Sequence, residues 1–321
     1  MEIVERHVPP ETFEARMATM QAALSEMNRY GITSAFDAWV GSDDVAVYRQ
    51  LDKNDKLTVK IRAALAYGHG DLFTLDSPED YTRILKQRDV LSTKRFTLGA
   101  VKLFVDGVLE GETAALLSAY IDSEGNDGHL TYEQTSLNKI VSELVKDGIQ
   151  VYTHAVGDGG VRSILDAFEA VRNDLGDSDL RHQVSHLQLI HADDHHRFAQ
   201  LGVVANFQPL WAWPDEWIMG LNLPVLGMKR VKRMYPIASI ADSGAVVVAG
   251  SDWNVSSVNP LEAIEVALLR QDWIGNDQLA SESLNHLPIL NRAERVDLET
   301  MLLAYTSNEL GGCIRTKQPG V

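Results

Sequence analysis

One pattern limits what this chain can fold into: a short β-prone apolar run, then a stretch with helical spacing, then the next run, repeated along most of its length. The β-prone runs lie near residues 32–36, 59–66, 100–105, 150–154, 183–187, 203–207 and 245–249. Helical stretches are expected near 13–27, 135–146, 161–172 and 260–270. In the first of these, Phe13, Met17, Met20, Leu24 and Met27 recur at steps of four and three, which puts them on one helix face. Gly31, Gly99, Gly148, Gly202 and Gly244 each precede a run, the place where a helix ends in a left-handed residue and the chain turns into a strand. Apolar strands alternating with helices predict a parallel sheet covered by helices. Seven such runs fit an open doubly wound sheet or most of a (β/α)8 TIM barrel. Neither G-x-G-x-x-G after a strand nor a P-loop occurs, so the usual nucleotide motifs of the open sheet are missing and the barrel is the expected fold.

In a barrel, chemistry collects at the C-terminal ends of the strands. The third run carries Lys102 and ends near Asp106; the next end in His154, in His186, in Gln208-Pro209, and in Gly250-Ser251-Asp252. Two neutral imidazoles and a carboxylate suit Zn²⁺. A lysine facing a barrel interior is costly unless paired or modified; carboxylated on its amine, it becomes an anion that can bridge two metals. Each residue alone has a plainer role: a core histidine, a capping Asp252, a Lys102 paired with Asp106. Their recurrence at one level of several strands is what points to a site. Trp211, Trp213 and Trp217 follow Gln208-Pro209 and either pack on a helix or wall a substrate pocket. His191 and His195 stand four apart, but Asp193 is expected to cap a solvent-exposed helix that carries them on its surface. His182 is expected at the opposite mouth, and His69, His129 and His286 in loops.

Charge narrows the class of partner. Lys plus Arg is 29 and Asp plus Glu is 45, giving a formal net charge of -16. Without a basic stripe, a nucleic-acid backbone is a poor partner. The single cysteine, Cys313, allows no disulfide within the chain and no thiolate cluster, which fits a reducing compartment. The first ten residues include Glu2, Glu5 and Arg6 and no long apolar run, so neither a signal peptide nor a membrane span is expected, and a cytoplasmic location is. The expected partner is a small-molecule substrate, with homo-oligomers as a further expectation.

Gly31-Ile32-Thr33-Ser34, Val101-Lys102-Leu103-Phe104-Val105-Asp106-Gly107, Thr153-His154-Ala155-Val156-Gly157-Asp158, Arg181-His182-Gln183-Val184-Ser185-His186, Phe207-Gln208-Pro209 and Gly250-Ser251-Asp252 resemble, in that order, the motifs of amidohydrolase family 3, the branch of the N-substituted formamide deformylase-like enzymes. The resemblance runs from about Pro9 to the end of the chain. It implies a barrel with one or two divalent metals, zinc above all. Lys102 would be the carboxylated metal-bridging lysine, and His154 and His186 the ligands of the fifth and sixth barrel strands. Asp252 would contact metal and handle the proton of the attacking water. Asp106, Gln208 and Trp211 are the expected substrate contacts. The implied reaction is hydrolysis of a non-peptide C–N bond. The family also has a small β-rich domain and a first strand bearing His-x-His; this chain has no His-x-His, so its seven runs would be strands two to eight. Ser185 stands where the family often has an acidic residue. The expectation is therefore an incomplete barrel domain over 1–321, either a hydrolase or a non-catalytic fragment or binding module with half a metal site.

Overall fold

The computed structural model describes residues 7, 11–68, 76–272 and 288–308; His69, His286 and Cys313 fall outside them. The chain forms two compact units, residues 1–102 and 103–321.

The first unit holds α1 (Phe13–Arg29), β1 (Ser34–Val40), α2 (Ser42–Lys53), β2 (Lys60–Ala66), α3 (Pro78–Lys86) and most of β3 (Phe96–Phe104). Thr12 caps α1 by accepting from the Ala15 N–H. At the other end Gly31 has φ +73, and the Gly31 and Ile32 N–H groups donate to the Asn28 and Met27 carbonyls. This closure needs a left-handed residue, which glycine adopts without Cβ strain. β1 pairs with β2 and β2 with β3, both in parallel. Leu24, Tyr48, Leu51, Leu65 and Phe96 are core residues, with the Tyr48 ring stacked on Phe96 at 5.1 Å. Asp37 accepts from the Tyr48 hydroxyl at 2.6 Å, and burial pushes its carboxyl up to about 6.

Gly99 departs from the expected helix-to-strand role. It lies inside β3, where the β2–β3 register shifts between Ala63 and Ala64. Its missing side chain makes room for buried Arg62, which donates to the Gly99 carbonyl at 3.2 Å; an added Cβ would stand 2.9 Å from the guanidinium.

The second unit continues with α4 (Gln134–Lys146), β4 (Gln150–Ala155), α5 (Asp158–Leu175), β5 (Gln183–His186), α6 (His195–Leu201), β6 (Val204–Phe207), α7 (Ile237–Asp242), β7 (Val247–Ala249), α8 (Pro260–Leu269) and α9 (Leu298–Tyr305). β4 to β7 pair in parallel, and β5, β6 and β7 are buried along their whole length, so the polar Gln183, Ser185 and Asn206 lie within the fold. The described strands follow one another in the sheet in chain order, β1 to β7. A doubly wound sheet reverses its strand order at a switch point; this one does not, and its winding is that of a barrel. No described helix is long and apolar enough to cross a membrane.

His182 belongs to the core. Its Nδ1 accepts from the Val151 N–H at 3.0 Å, its ring lies flat on Phe168 at 4.8 Å, and burial pushes its pKa down to about 4. An unfolded chain takes up the proton near 6.5, so this group's contribution is complete above that pH and is lost as pH falls toward 4. Asp37, with its raised pKa, contributes in the opposite sense over part of the same range. The expected result is therefore a difference. In denaturant unfolding, the stability gap between the chain and its His182→Gln variant narrows by roughly 3 kcal/mol between pH 7 and pH 4. A gap that stays constant with pH would show that His182 is not buried neutral.

Candidate metal centre

The site is built at the ends of β4, β5 and β6 and in the loop that leaves β3. β5 ends at His186, with φ +79, followed by Leu187 with φ +50. Two successive left-handed residues without glycine are unfavourable and persist only where surrounding contacts fix them. Here the contact is a hydrogen bond from His186 Nδ1 to Gln208 Oε1, at 2.9 Å.

Gln208 begins a directional row of buried amides. Its Nε2 donates to Asn206 Oδ1 at 3.1 Å, and Asn206 Nδ2 donates to Gln183 Oε1 at 3.0 Å. The β5–β6 register places Ser185 beside Asn206, so these residues share a sheet face. The row ends at Gln183 Nε2, which is buried without a hydrogen-bond partner. Because each amide donates through nitrogen and accepts through oxygen, Gln208 presents an acceptor to His186. With the amides in this orientation His186 Nδ1 donates to Gln208, and the ring lone pair lies on Nε2.

His154, on β4, is fixed in the opposite tautomer. Its Nε2 lies 2.9 Å from the Gly107 carbonyl, which can only accept, and 3.5 Å from Asp106 Oδ1. The His154 lone pair is then on Nδ1. The two imidazoles meet edge to face with centroids 4.6 Å apart. Phe104 packs against His154 at 5.2 Å, and the Trp211 ring stacks on His186 at 5.8 Å with an interplanar angle of 7°.

Asp106 anchors the loop after β3. Its Oδ1 accepts from the Val156 N–H at 3.0 Å, and its Oδ2 from the Gly157 and Ala115 N–H groups at 2.8 and 3.2 Å. Burial pushes the carboxyl up to about 7 against these three donors. Gly160 leaves space for it, since a Cβ there would come within 2.4 Å of Asp106 Oδ2.

The structure thus brings His154, His186, Asp106, Gln208 and Trp211 together. Asp106 and Gln208, expected from sequence as substrate contacts, are only 2% exposed and have their oxygens engaged by backbone N–H groups and histidines. Gln208 orients the His186 ring, and Asp106 holds the loop beside His154. Trp211 is half-buried. Lys102 is buried in β3 of the first unit, with Ala66 as its register partner. Asp252 is exposed on the turn after β7, with φ +51. Among the described residues, no three His, Cys, Asp or Glu side chains converge in a way that could hold an ion. Away from the site, His191 itself caps the short turn 192–194 by accepting from the Asp193 N–H, in place of the capping role expected for Asp193. Trp217 is 61% exposed, and His129 is exposed.

Sequence reasoning missed Gln183, Asn206 and the Gly107 carbonyl. The available signal was a polar residue at every second position of apolar strands: Gln183-x-Ser185 and Asn206-x-Gln208.

A parallel sheet wound in chain order, with histidines at the ends of two adjacent strands, is the architecture of barrel metallohydrolases. Residues 1–310 match the profile of the Amidohydrolase family, and the chain belongs to that family, in the family 3 branch that its motifs resemble. The chain is 29% identical to Protein LONG AFTER FAR-RED 3 of Arabidopsis thaliana, over 83% of this chain and 47% of that protein. It is 25% identical to the N-substituted formamide deformylase of Arthrobacter pascens, over 78% of this chain and 45% of the enzyme. An uncharacterized metal-dependent hydrolase from Pyrococcus furiosus shares the fold with a TM-score of 0.73 at 21% identity, over 94% of this chain and 56% of the other. The chain spans about half the length of the curated relatives it matches.

Proposed function

We propose that this chain carries part of the active site of a metal-dependent hydrolase that cleaves a non-peptide C–N bond, of amide type, in a small molecule. The observation that carries this reading is the pair of histidines at the ends of adjacent strands, edge to face with centroids 4.6 Å apart and each with one ring nitrogen held by an oxygen atom. His154 would hold a divalent ion through Nδ1 and His186 through Nε2. Imidazole donors favour zinc, and a bound zinc lowers the pKa of its water and polarises a carbonyl. The Gly107 carbonyl and Gln208 keep the ring orientation by accepting the remaining ring protons, and Asp106 holds the loop that carries Gly107. Trp211 offers an apolar surface to substrate. By family resemblance, Lys102, carboxylated, and Asp252 would complete the ligand set, and Asp252 would take and return the proton of the attacking water. The name of the Arthrobacter relative makes N-substituted formamides the first substrates to try.

A second reading is a binding module with half a metal site and no turnover. This reading needs only the histidine pair and no proton-transferring carboxylate. Metal analysis of the purified chain and of a His154→Ala, His186→Ala double variant, beside a screen of small amides, tests the first reading and separates it from the second. Bound zinc is expected to fall at least about tenfold in the double variant. Equal metal content in the two proteins overturns the site; metal lost as expected, with no amide hydrolysed by the chain, selects the second reading.

A further inference from the structure

The second unit also contains a cavity of about 470 Å³ that shares no residue with the histidine pair. We propose that it binds the oxyanion group, phosphate or carboxylate, of a small molecule. Arg162, Lys229, Arg230, Arg233 and His191 line it, against a single lining carboxylate, Asp158. On a chain with a net charge of -16, this is a local reversal of sign.

The bonding of each group shows which charges remain for a ligand. Arg230 is held by neutral acceptors: the Leu226, Ser118, Ala119 and Val225 carbonyls, at 2.7 to 3.3 Å. Those bonds fix its position and do not themselves offset its charge; Asp158 is the lining carboxylate that acts on it. Arg162 is paired with buried Asp194 at 2.8 Å, and Asp194 also serves Arg197. Lys229 and Arg233 make no ion pair among the described residues, and Arg233 Nε is buried without a hydrogen-bond partner. Asp158 keeps its charge while its Oδ1 accepts from the Leu117 N–H at 2.9 Å, but as the single lining carboxylate it cannot offset all of the lining cations. The N-terminus of α5 is not the source of attraction: its Gly159 and Gly160 N–H groups are taken by the Ala115 carbonyl.

Cations crowded into a recess repel one another, and an oxyanion relieves that repulsion while supplying acceptors to Arg233 and Lys229. Guanidinium groups match phosphate and carboxylate oxygens in paired bonds. The volume is that of sites for small organic ligands rather than for a lone ion.

The test is calorimetric titration of the whole chain with inorganic phosphate and with citrate at fixed ionic strength, with sodium chloride as control. Saturable binding of at least one of the two oxyanions, with Kd of about 1 mM or tighter, is expected. Lys229 is exposed, so Lys229→Glu leaves the fold intact; it should weaken binding at least about tenfold by removing a charge-assisted bond. The His154→Ala, His186→Ala variant should bind the same anion unchanged. No saturable binding of either anion, unaltered affinity in Lys229→Glu, or binding lost with the histidines would each overturn the proposal, the last by placing the anion at the metal site.

Discussion

Replacing Asp252 by asparagine should reduce hydrolysis by about 10²–10⁴-fold and leave bound metal largely in place. Asparagine keeps the size of the side chain and one acceptor oxygen but cannot take a proton at neutral pH. The substitution is also mild for the backbone. Asp252 has φ +51, and asparagine is among the residues that best tolerate the left-handed region. The turn around it is made by groups that survive the change: the Val255 N–H donates to the Asp252 carbonyl, and the Trp253 N–H to Ser251 Oγ. Alanine at this position would mix the loss of a base with left-handed strain, so asparagine is the informative variant. The measurement is turnover of any amide that the proposed screen identifies as a substrate, with zinc content determined on the same samples. Normal turnover in Asp252→Asn would remove this residue from the proton-transfer role, whatever the metal content.

Some of this was readable in the residues because it depends on local chemistry. The strand runs near 150–154, 183–187 and 203–207 became β4, β5 and β6 within a residue or two, because short β-prone runs set between helical stretches have few other solutions. Gly31, Gly148, Gly202 and Gly244 all have positive φ, as a helix end leading into a strand requires. Gly99 was misread for an equally physical reason. Its role comes from Arg62, distant in sequence, and no local pattern records which side chain will need its space. The histidines of the site were visible as strand-end residues, but their tautomers were not. Those depend on Gln208, Asn206 and the Gly107 carbonyl, and on a left-handed turn at His186 that sequence spacing does not announce. Asp106 sits in a motif that suggests ligand contact, yet the folded loop supplies it with three backbone donors that only the three-dimensional path reveals.

Those three donors make the loss of Asp106 costly in stability. The carboxylate has two oxygens and no hydrogen; it accepts from Val156, Gly157 and Ala115 and stands 3.5 Å from His154 Nε2. Asparagine has one oxygen and one NH₂ group. Whichever way the amide is turned, its NH₂ faces at least one backbone N–H, and Gly160 packs too close for it to move aside. Leaving buried donors unsatisfied around an altered buried charge costs roughly 2–5 kcal/mol. The pH of the measurement matters. Burial raises the folded pKa to about 7, above the unfolded 3.8, so this group's contribution is present at low pH and diminishes as pH rises through that interval. The gap between the chain and Asp106→Asn is therefore smallest at pH 8, where denaturant unfolding should still show a loss of about 2 kcal/mol or more. The same substitution deprives His154 of a neighbour that fixes its ring, so bound zinc should fall about 10–100-fold. A variant as stable as the parent at pH 8 would mean that the three N–H groups do not depend on this carboxylate. A destabilised variant with undiminished zinc would confine Asp106 to holding the loop and leave the orientation of His154 to the Gly107 carbonyl.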